Sequence, residues 1–418
     1  MFIKELFLFS LLCLAALAEK ARYDSYPVYK VIPQTEEQIK LLLKFEDVSD
    51  SVILLHGAHQ VGESINVVVA PHKVPDFLQT LRQKGVFPEL IEKNFQSHID
   101  EESRYSVARG RSFYGWKQYY DLEATYEFLR ETAKKYPNIV ELVQGGKSYE
   151  GRDILGVKLS YKAGNKAIVL EGGIHSREWI SPATVTYILN QLLTSENAAT
   201  RQIAENFDWY FFPNTNPDGY VYTHKTNRMW RKTRSQNGIC YGADPNRNWD
   251  LAWNTVGTSS LPCSDTYAGK SAESEVEVKS FVAFLKTLKG KIELYISFHS
   301  FSQLLLFPYG YTSKAPSNYN DLKRIGDVAA NALAQRYGTK YTVGDIYHTI
   351  YPASGSSIDY VNGALDVPLT YCYELRPRSG GMDGFMLPAE QIIPTGEETL
   401  DSLTAMINEA VKLKYFQK

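Results

Sequence analysis

Short stretches in which β-branched and polar residues alternate predict a small mixed domain in the first hundred positions. Its strands are expected at residues 28–32, 51–55, 64–69 and 87–91. A Thr-x-x-Gln capping box at Thr35 predicts the start of one helix, and Phe77 with Leu81 marks a second. The resulting β-α-β-β-α-β order is the ferredoxin-like arrangement.

The rest of the chain, residues 112–418, has a different pattern. Continuous apolar runs at 167–170, 209–212, 294–298 and 369–373 alternate with segments of helical periodicity, the last at 399–411. Such runs are typical of strands that are buried on both faces of a sheet. The pattern therefore predicts an α/β domain with a mixed, largely parallel central sheet and helices on both faces.

The first 18 residues form a third kind of pattern. Lys4 precedes an apolar run of about a dozen residues, and Ala16-Leu17-Ala18 ends it with small residues. The run is short for a bilayer span, so it predicts a secretory signal at residues 1–18. The mature protein is expected to be secreted, with no membrane partner.

Composition narrows the possible partners. Hydrophobic residues make up 44% of the 418 positions and charged residues 22%, which is typical of a globular protein. With 45 Lys+Arg against 47 Asp+Glu, the formal net charge is -2. This balance gives no electrostatic basis for binding nucleic acid.

Cysteine usage agrees with secretion. Of the four cysteines, Cys13 lies in the predicted signal segment. Cys240 and Cys263 are 23 residues apart in a Gly- and Ser-rich region, which favours a disulfide in an oxidising compartment. Cys372 is then a free thiol in an apolar run, where it is expected to be buried.

The segment at residues 99–112 is polar and rich in arginine. Arg104, Arg109 and Arg111 fall within eight residues of each other. The composition is that of a solvated linker, and in a secreted protein with a small leading domain it also predicts a proteolytic activation site.

Polar side chains follow several of the predicted buried strands. His175 and Glu178 come after the run at 167–170, His299 after 294–298 and Glu374 after 369–373. Open α/β sheets carry their chemistry at these carboxyl ends, and a His₂Glu set leaves zinc one open position. Each histidine taken alone also fits a purely structural, hydrogen-bonded role.

Longer motifs around these residues resemble a known family. They are HSREWISP at 175–182, NTNPDGY at 214–220, NRMWRK at 227–232, NRNW at 246–249, HS at 299–300 and YPASG at 351–355. Their order is similar to that of the digestive zinc carboxypeptidases of the pancreatic A/B type. The resemblance extends from about residue 22 to the end of the chain.

The resemblance implies roles for the polar cluster. His175, Glu178 and His299 would hold zinc. Asp244 would accept a hydrogen bond from His175 and orient its ring. Glu374 would be the general base, and Arg231 would stabilise the oxyanion that forms during the reaction.

The resemblance also implies how a substrate is held. Arg247, Asn246 and Tyr351 would bind the C-terminal carboxylate of a peptide or protein. Arg177 would bind a carbonyl group further from the terminus.

A pocket for the terminal side chain is implied as well. Its lining would comprise Leu306, Gly310, Ile346, Ile358 and Cys372. Ile358 replaces the acidic residue of the basic-specific branch, so the resemblance implies an A-type preference for apolar or aromatic termini. A basic-specific enzyme and a non-catalytic binding protein on the same fold are the two alternatives. The first conflicts with Ile358, and the second with the complete set of ligands and base.

Three positions depart from typical relatives. Phe301 stands where Tyr is common, Cys372 stands where Thr is common, and the loop at 377–383 is about two residues longer. These departures affect the expected fine specificity but leave the expected zinc chemistry unchanged.

The resemblance implies a zymogen. Residues 19–111 would be an activation domain with its connecting segment, and residues 112–418 the enzyme. A trypsin-like protease would cut at Arg109 or Arg111. The expected partners are peptide and protein C-termini and protein inhibitors. The expected place of action is the gut lumen.

Overall fold

A computed structural model describes residues 20–48, 51–55, 61–105, 114–378 and 384–417. The predicted signal at 1–18 and the predicted cleavage points Arg109 and Arg111 lie outside the described residues. The strands are β1 Val28–Val31, β2 Val52–Leu54, β3 Ile65–Val69, β4 Glu89–Glu92, β5 Val140–Lys147, β6 Asp153–Leu159, β7 Ala167–Glu171, β8 Asp208–Phe212, β9 Gln236–Asn237, β10 Cys240–Tyr241, β11 Ile292–Ser300, β12 Leu304–Phe307, β13 Thr342–Asp345 and β14 Leu369–Leu375. The α-helices are α1 Glu36–Val48, α2 Val74–Gln83, α3 Gln96–Tyr105, α4 Leu122–Lys135, α5 Ile180–Thr194, α6 Ala198–Asn206, α7 Pro217–Lys225, α8 Val276–Thr287, α9 Tyr319–Tyr337, α10 Ile346–Thr349, α11 Ser357–Gly363 and α12 Ile392–Lys412.

The small leading domain has the predicted β-α-β-β-α-β order. Strands β1 to β4 form an antiparallel sheet in the order β2-β3-β1-β4. Val67 and Val69 of β3 and Phe77 and Leu81 of α2 are fully buried in its core. The last strand begins two residues later than predicted, and Phe87 is 80% exposed.

The segment that follows this domain is not a linker throughout. Residues Gln96–Tyr105 form α3, although the sequence analysis interpreted residues 99–112 as a polar linker. The mean hydropathy of the helix is low, which hid it from a search for apolar periodicity. Ile99 and Phe95 nevertheless bury their side chains against the larger domain.

The larger domain is built on an eight-stranded sheet in the order β13-β12-β14-β11-β7-β8-β6-β5. The central strands β14, β11, β7 and β8 are parallel to one another. They correspond to the four continuous apolar runs, and every residue of β7 and β8 is buried. The predicted mixed, largely parallel α/β fold is confirmed.

The strands towards the edges of this sheet were not predicted from the sequence. β5 and β6 form an antiparallel pair with alternating exposure, and glycines interrupt both strands. β12 and β13 are only four residues long each. Helix α12 begins at Ile392 rather than at residue 399, because Pro394 lies in the first turn, where its missing N–H costs no hydrogen bond.

Helices cover both faces of the sheet. Helices α5, α9 and α12 pack on one face, and side chains such as Ile296 and Phe298 of β11 point towards them. Helices α8 and α11 lie on the other face, where Tyr295 of β11 is buried. Because side chains alternate along a strand, His299 shares the face of Tyr295.

The small domain sits on the larger one through a shared apolar seam. Tyr23, Ile53 and Phe95 of the small domain pack with Met229 and Met386 of the larger one. A bidentate ion pair adjoins the seam: Glu102 accepts hydrogen bonds from Nε and Nη2 of Arg228 at 2.6 and 2.8 Å. Both side chains are buried, at 7% and 6% exposure.

Two further predictions concern the cysteines and the membrane. Cys240 and Cys263 form a disulfide with Cα atoms 5.2 Å apart, and Cys372 is free and buried, as expected. None of the helices among the described residues has the length and apolar character needed to cross a bilayer.

Candidate metal centre and substrate cleft

The polar cluster forms where the parallel strands end. His175 and Glu178 lie in the loop between β7 and α5, which Gly173 enters with a φ of 66°. His299 lies near the end of β11, and the register of the sheet places Glu374 of β14 opposite it. The sheet therefore positions two of the predicted residues directly and supports the loop that carries the others.

Three donor atoms converge at this edge. Nδ1 of His175 is 2.9 Å from Glu178 Oε1, Nδ1 of His299 is 3.2 Å from Glu178 Oε2, and the two Nδ1 atoms are 3.0 Å apart. The side chains are 2–4% exposed. Two imidazoles and one carboxylate facing a common centre in a buried place are a metal-binding arrangement.

The chemistry of this donor set fits zinc. Donors on a tetrahedral zinc ion lie at about 2.0–2.1 Å from the metal and therefore about 3.3 Å from each other. The separations in this cluster are close to that value. A set of two imidazoles and one carboxylate also leaves a fourth position open, as in catalytic zinc sites.

Asp244 orients the first histidine. Its Oδ1 accepts a hydrogen bond from Nε2 of His175 at 3.1 Å, so Nδ1 keeps its lone pair for the metal. Burial would raise the pKa of Asp244, but the charges of Arg231 and His175 hold it well below its usual range. Asp244 therefore remains an acceptor.

Two carboxylates of the site differ in their tendency to ionise. Burial would raise the pKa of Glu178, but His175 and His299 lower it below its usual range. Burial and the neighbouring Glu178 charge both raise the pKa of Glu374. Glu178 therefore favours its charged form, whereas these surroundings favour the protonated form of Glu374.

A cavity of about 270 Å³ opens in front of these groups. Its polar lining is supplied by His175, Arg177, Glu178, Arg231, Asn246, Arg247, Asp265, Thr266, His299, Ser300, Tyr351 and Glu374. Leu43 and Leu54 of the small domain also line it. The small domain therefore covers the mouth of the cavity.

Arg231 and Arg247 are held in the cavity by different partners. Nε and Nη2 of Arg231 donate to Asp244 Oδ2 at 3.1 and 2.9 Å. Arg247 donates from Nε to the Gly257 carbonyl at 2.9 Å, and its Nη2 lies 3.5 Å from the Tyr351 hydroxyl. Asn246 adjoins Arg247 in sequence, and its Nδ2 is 3.5 Å from His299 Nε2. The structure thus gathers all the predicted anchor residues.

Arg177 is the most enclosed of these cations. Its side chain is 3% exposed, its Nη1 pairs with Asp265 Oδ2 at 3.1 Å, and the ring of Phe385 lies 4.3 Å from its guanidinium carbon. Neither Asp265 nor Phe385 was among the site residues predicted from the sequence. Asp265 follows Cys263 by two residues, and Phe385 follows the loop at 377–383, of which residues 379–383 lie outside the described residues.

The five residues predicted to line the terminal pocket form one cluster behind the cavity. Leu306, Ile346, Ile358 and Cys372 belong to the same buried core. A Cβ on Gly310 would lie 2.9 Å from Ile346, so only a glycine fits at that position. These residues are not among those that line the large cavity itself.

A buried acid follows Ile358 directly. Asp359 accepts hydrogen bonds from the backbone N–H groups of Gly310 and Tyr311 at 2.9 and 3.1 Å. Burial raises its pKa to about 7. Because backbone donors occupy this carboxyl group, it does not offer a charge to a basic side chain.

Glu171 is a further buried acid that the sequence analysis did not single out. Its carboxyl group accepts hydrogen bonds from Thr215 at 3.2 Å and from Tyr295. Burial raises its pKa to about 8. The only available signal was its position at the end of a predicted buried strand, where most side chains are apolar.

Phe301, one of the departures from the family pattern, packs beside the cavity. Its ring centroid is 5.1 Å from that of Phe385 at an angle of 70°. This contact links the end of β11 to the loop that carries Phe385.

Two known protein families match this chain, one for each domain. Residues 125–402 match the model of the family described as zinc carboxypeptidase. Residues 29–102 match the family described as carboxypeptidase activation peptide. The two matches fall on the two domains of the fold.

Individual relatives agree with these matches. The chain is 52% identical to zinc carboxypeptidase A 1 of Anopheles gambiae, over 96% of this chain and 93% of the relative. The structure is similar to that of carboxypeptidase A from Helicoverpa armigera, with a TM-score of 0.86 and 31% identity over 93% and 98% of the two chains. It is also similar to bovine thrombin-activatable fibrinolysis inhibitor in complex with tick carboxypeptidase inhibitor, with a TM-score of 0.67 and 34% identity over 71% and 99%.

Proposed function

The chain belongs to the zinc carboxypeptidases that carry an activation peptide, and from this premise we propose that His175, Glu178 and His299 hold the zinc ion. The protein is an A-type carboxypeptidase zymogen, which acts on peptide C-termini. The observation that carries the ligand assignment is the convergence of three buried donor atoms within 2.9–3.2 Å of each other.

Zinc, when bound, supplies Lewis-acid polarisation of the scissile carbonyl and of the attacking water. Glu374 accepts the proton of that water on its carboxylate and then donates it to the leaving amine. The proton that Glu374 gains in the first step is the one that it delivers in the second. Arg231 stabilises the negative charge that develops on the carbonyl oxygen.

Arg247 binds the terminal carboxylate of the substrate, with Asn246 and the Tyr351 hydroxyl beside it. A guanidinium group binds a carboxylate through two parallel hydrogen bonds, which fixes the position of the chain end. Arg177 binds a carbonyl group further from the terminus. Together these contacts limit hydrolysis to the last peptide bond.

Ile358 determines the class of terminal residue. It lies with Leu306, Ile346 and Cys372 in one apolar cluster, and the adjacent Asp359 is turned onto backbone N–H groups. A cationic side chain would lose its hydration there without gaining a partner. The cluster therefore favours apolar and aromatic terminal side chains.

Residues 19–111 form the activation domain with its connecting segment, and residues 112–418 form the enzyme. Leu43 and Leu54 at the mouth of the cavity support a role in blocking the cleft. A trypsin-like protease releases the enzyme by cutting at Arg109 or Arg111. We also propose that the protein is secreted into the gut lumen, where it digests protein. It would bind protein inhibitors such as the one bound to the bovine relative.

The test is a panel of peptides ending in Phe, Leu, Lys or Glu, applied before and after limited trypsin treatment, with zinc content and the new N-terminus measured. We expect cleavage of the Phe and Leu peptides only after trypsin. The His299→Ala variant should lose its zinc. Full zinc occupancy in that variant would contradict the ligand assignment, and full activity of the uncut chain would contradict the zymogen.

A further inference from the structure

The charged groups of the cavity do not all have a role in the reaction described above. Its lining contains three arginines and the carboxylates of Glu178, Asp265 and Glu374. Glu178 is a metal ligand and Glu374 is the base. Among the described residues that line the cavity, Asp265 is the one acid without an assigned role.

Asp265 has one carboxylate oxygen available. Its Oδ2 accepts a hydrogen bond from Nη1 of Arg177 at 3.1 Å, whereas Oδ1 makes no hydrogen bond within the described part of the chain. The side chain is 17% exposed, against 3% for Arg177. A ligand in the cavity can therefore reach the carboxylate more easily than the guanidinium.

The backbone around Asp265 is fixed. The disulfide of Cys263 ties the loop to β10, and Nζ of Lys232 donates to the Pro262 carbonyl at 2.8 Å. The Ser264 hydroxyl accepts a hydrogen bond from the N–H of Thr266 at 3.1 Å. Because the loop is held at several points, the charge of Asp265 is preorganised and does not have to be ordered by the substrate.

Asp265 lies in the half of the cleft that receives the rest of the peptide. The terminal carboxylate ends at Arg247, which contacts Gly257 and Tyr351. Arg177 instead contacts Met229 and Phe385, which pack in or against the seam under the small domain. When the small domain leaves, this half opens to solvent, so the substrate chain leaves the cleft on the side of Asp265.

We propose that Asp265 is a specificity-determining residue that selects a cationic side chain at the third position from the C-terminus of the substrate, the position whose carbonyl group Arg177 binds. The inference rests on the proposed function, because it assumes that Arg247 holds the chain end. Lys or Arg at that position of a substrate with an apolar terminal residue pairs with Oδ1, while an acidic residue there is repelled. Charge complementarity of this kind gives selectivity more than affinity.

The experiment uses trypsin-activated, zinc-loaded enzyme and three peptides that all end in Phe and carry Lys, Ala or Glu at the third position from the C-terminus. In the wild type, kcat/KM for the Lys peptide should exceed that for the Glu peptide by roughly tenfold, since two partly exposed charge contacts differ between them. The Asp265→Asn variant keeps the hydrogen bond to Arg177 and should bring the ratio close to one. The wild-type ratio should also shrink as the salt concentration rises.

The Asp250→Asn variant is the matched control, because Asp250 is an exposed carboxylate outside the cavity lining. Its ratio should equal that of the wild type. Equal loss of activity on all three peptides in the Asp265→Asn variant, or a wild-type ratio near one, would overturn the inference and leave the proposed function standing. If activated wild-type enzyme cleaved none of the peptides, the proposed function would fail and the inference with it.

Discussion

The two domains differ in what they bury. Among the described residues 20–105, Asn66 and Gln96 are buried polar residues without a charge, and the buried carboxylate of Glu102 is paired with Arg228 of the larger domain. The larger domain buries a set of charged groups at its sheet edge that includes Glu178, Asp244 and Arg247. Burying a charge is costly unless it is paired, and the partner of Glu102 lies in the other domain, whereas the buried charges of the larger domain pair with one another at its site.

The two domains are stabilised by different kinds of buried contact. The core of the small domain is held by apolar contacts, which tolerate changes that preserve volume. The site of the larger domain is held by a chain of paired charges from Glu178 through His175 and Asp244 to Arg231. Removing one member of such a chain leaves the charge of its partner buried without a counter-charge. We therefore expect substitutions in the site to have larger effects than substitutions in the core of the small domain.

The largest expected effect separates catalysis from folding. The Glu374→Gln variant should keep its zinc and its docked small domain but lose about 10³–10⁴-fold in kcat, because an amide cannot take a proton from water. The measurement is kcat on a peptide ending in Phe after activation, with zinc content as a control. A kcat near that of the wild type would remove Glu374 as the base.

Differences in burial also explain which helices and strands could be predicted from the sequence. The four central strands were predictable because burial on both faces leaves continuous apolar runs such as 294–298. β5 was not, because it is half-exposed and contains two glycines. Helix α3 was interpreted as a linker because its buried positions are few and because Glu102 pairs with Arg228 of the other domain, which is 126 residues away in the sequence.

The residues of the candidate site also differ in how far they could be predicted from the sequence. His175, Glu178, His299 and Glu374 were found because they follow buried strands and belong to long motifs. Asp265 carries no such signal, since its significance comes from a contact with Arg177 that is 88 residues away in the sequence. Interactions of this kind depend on the tertiary fold and leave no local pattern.

The second prediction concerns a buried acid in the larger domain. The pKa of Glu171 is raised from 4.5 to about 8 by burial. Between these values the folded protein keeps a proton that the unfolded chain releases, so stability falls as the pH rises from about 4.5 to 8. The Glu171→Gln variant should lose the part of this decline that Glu171 contributes, about 3–5 kcal/mol across the window, while buried acids such as Asp359 keep theirs.

The measurement is the free energy of unfolding in urea at several pH values. Glu141→Gln is the matched control, because Glu141 is an exposed carboxylate on β5 of the same sheet. Its pH dependence should match that of the wild type. An unchanged slope in the Glu171→Gln variant would mean that Glu171 is ionised in the folded protein at neutral pH.

The third prediction concerns the disulfide. Replacing Cys240 and Cys263 by Ser should lower the free energy of unfolding by about 3 kcal/mol, as expected for a covalent loop of 23 residues. The small domain lacks a disulfide among its described residues, so its docking to the seam should not change. Denaturant unfolding measures the first effect. An unchanged free energy of unfolding in the Ser variant would contradict a stabilising role of the disulfide.

The smallest expected effect tests the place where the two domains meet. Glu102 is a carboxylate of the small domain in a buried ion pair, bound by both Nε and Nη2 of Arg228. In the Glu102→Gln variant, the docked state would keep Arg228 buried without its counter-ion, which disfavours docking. Arg228 also donates to the backbone carbonyls of Arg177 and Phe385, so the larger domain can hold it after the small domain leaves. The undocked fraction, and with it the activity of the uncut chain on a peptide ending in Phe, should therefore rise about tenfold, equivalent to ~1.4 kcal/mol. Activity after trypsin should be the same as in the wild type.

The Glu101→Gln variant removes an exposed carboxylate one position earlier on α3 and should change neither activity. If Glu102→Gln left the uncut chain as inactive as the wild type, the apolar seam alone would account for docking, and the small domain would then depend on no buried charge at all.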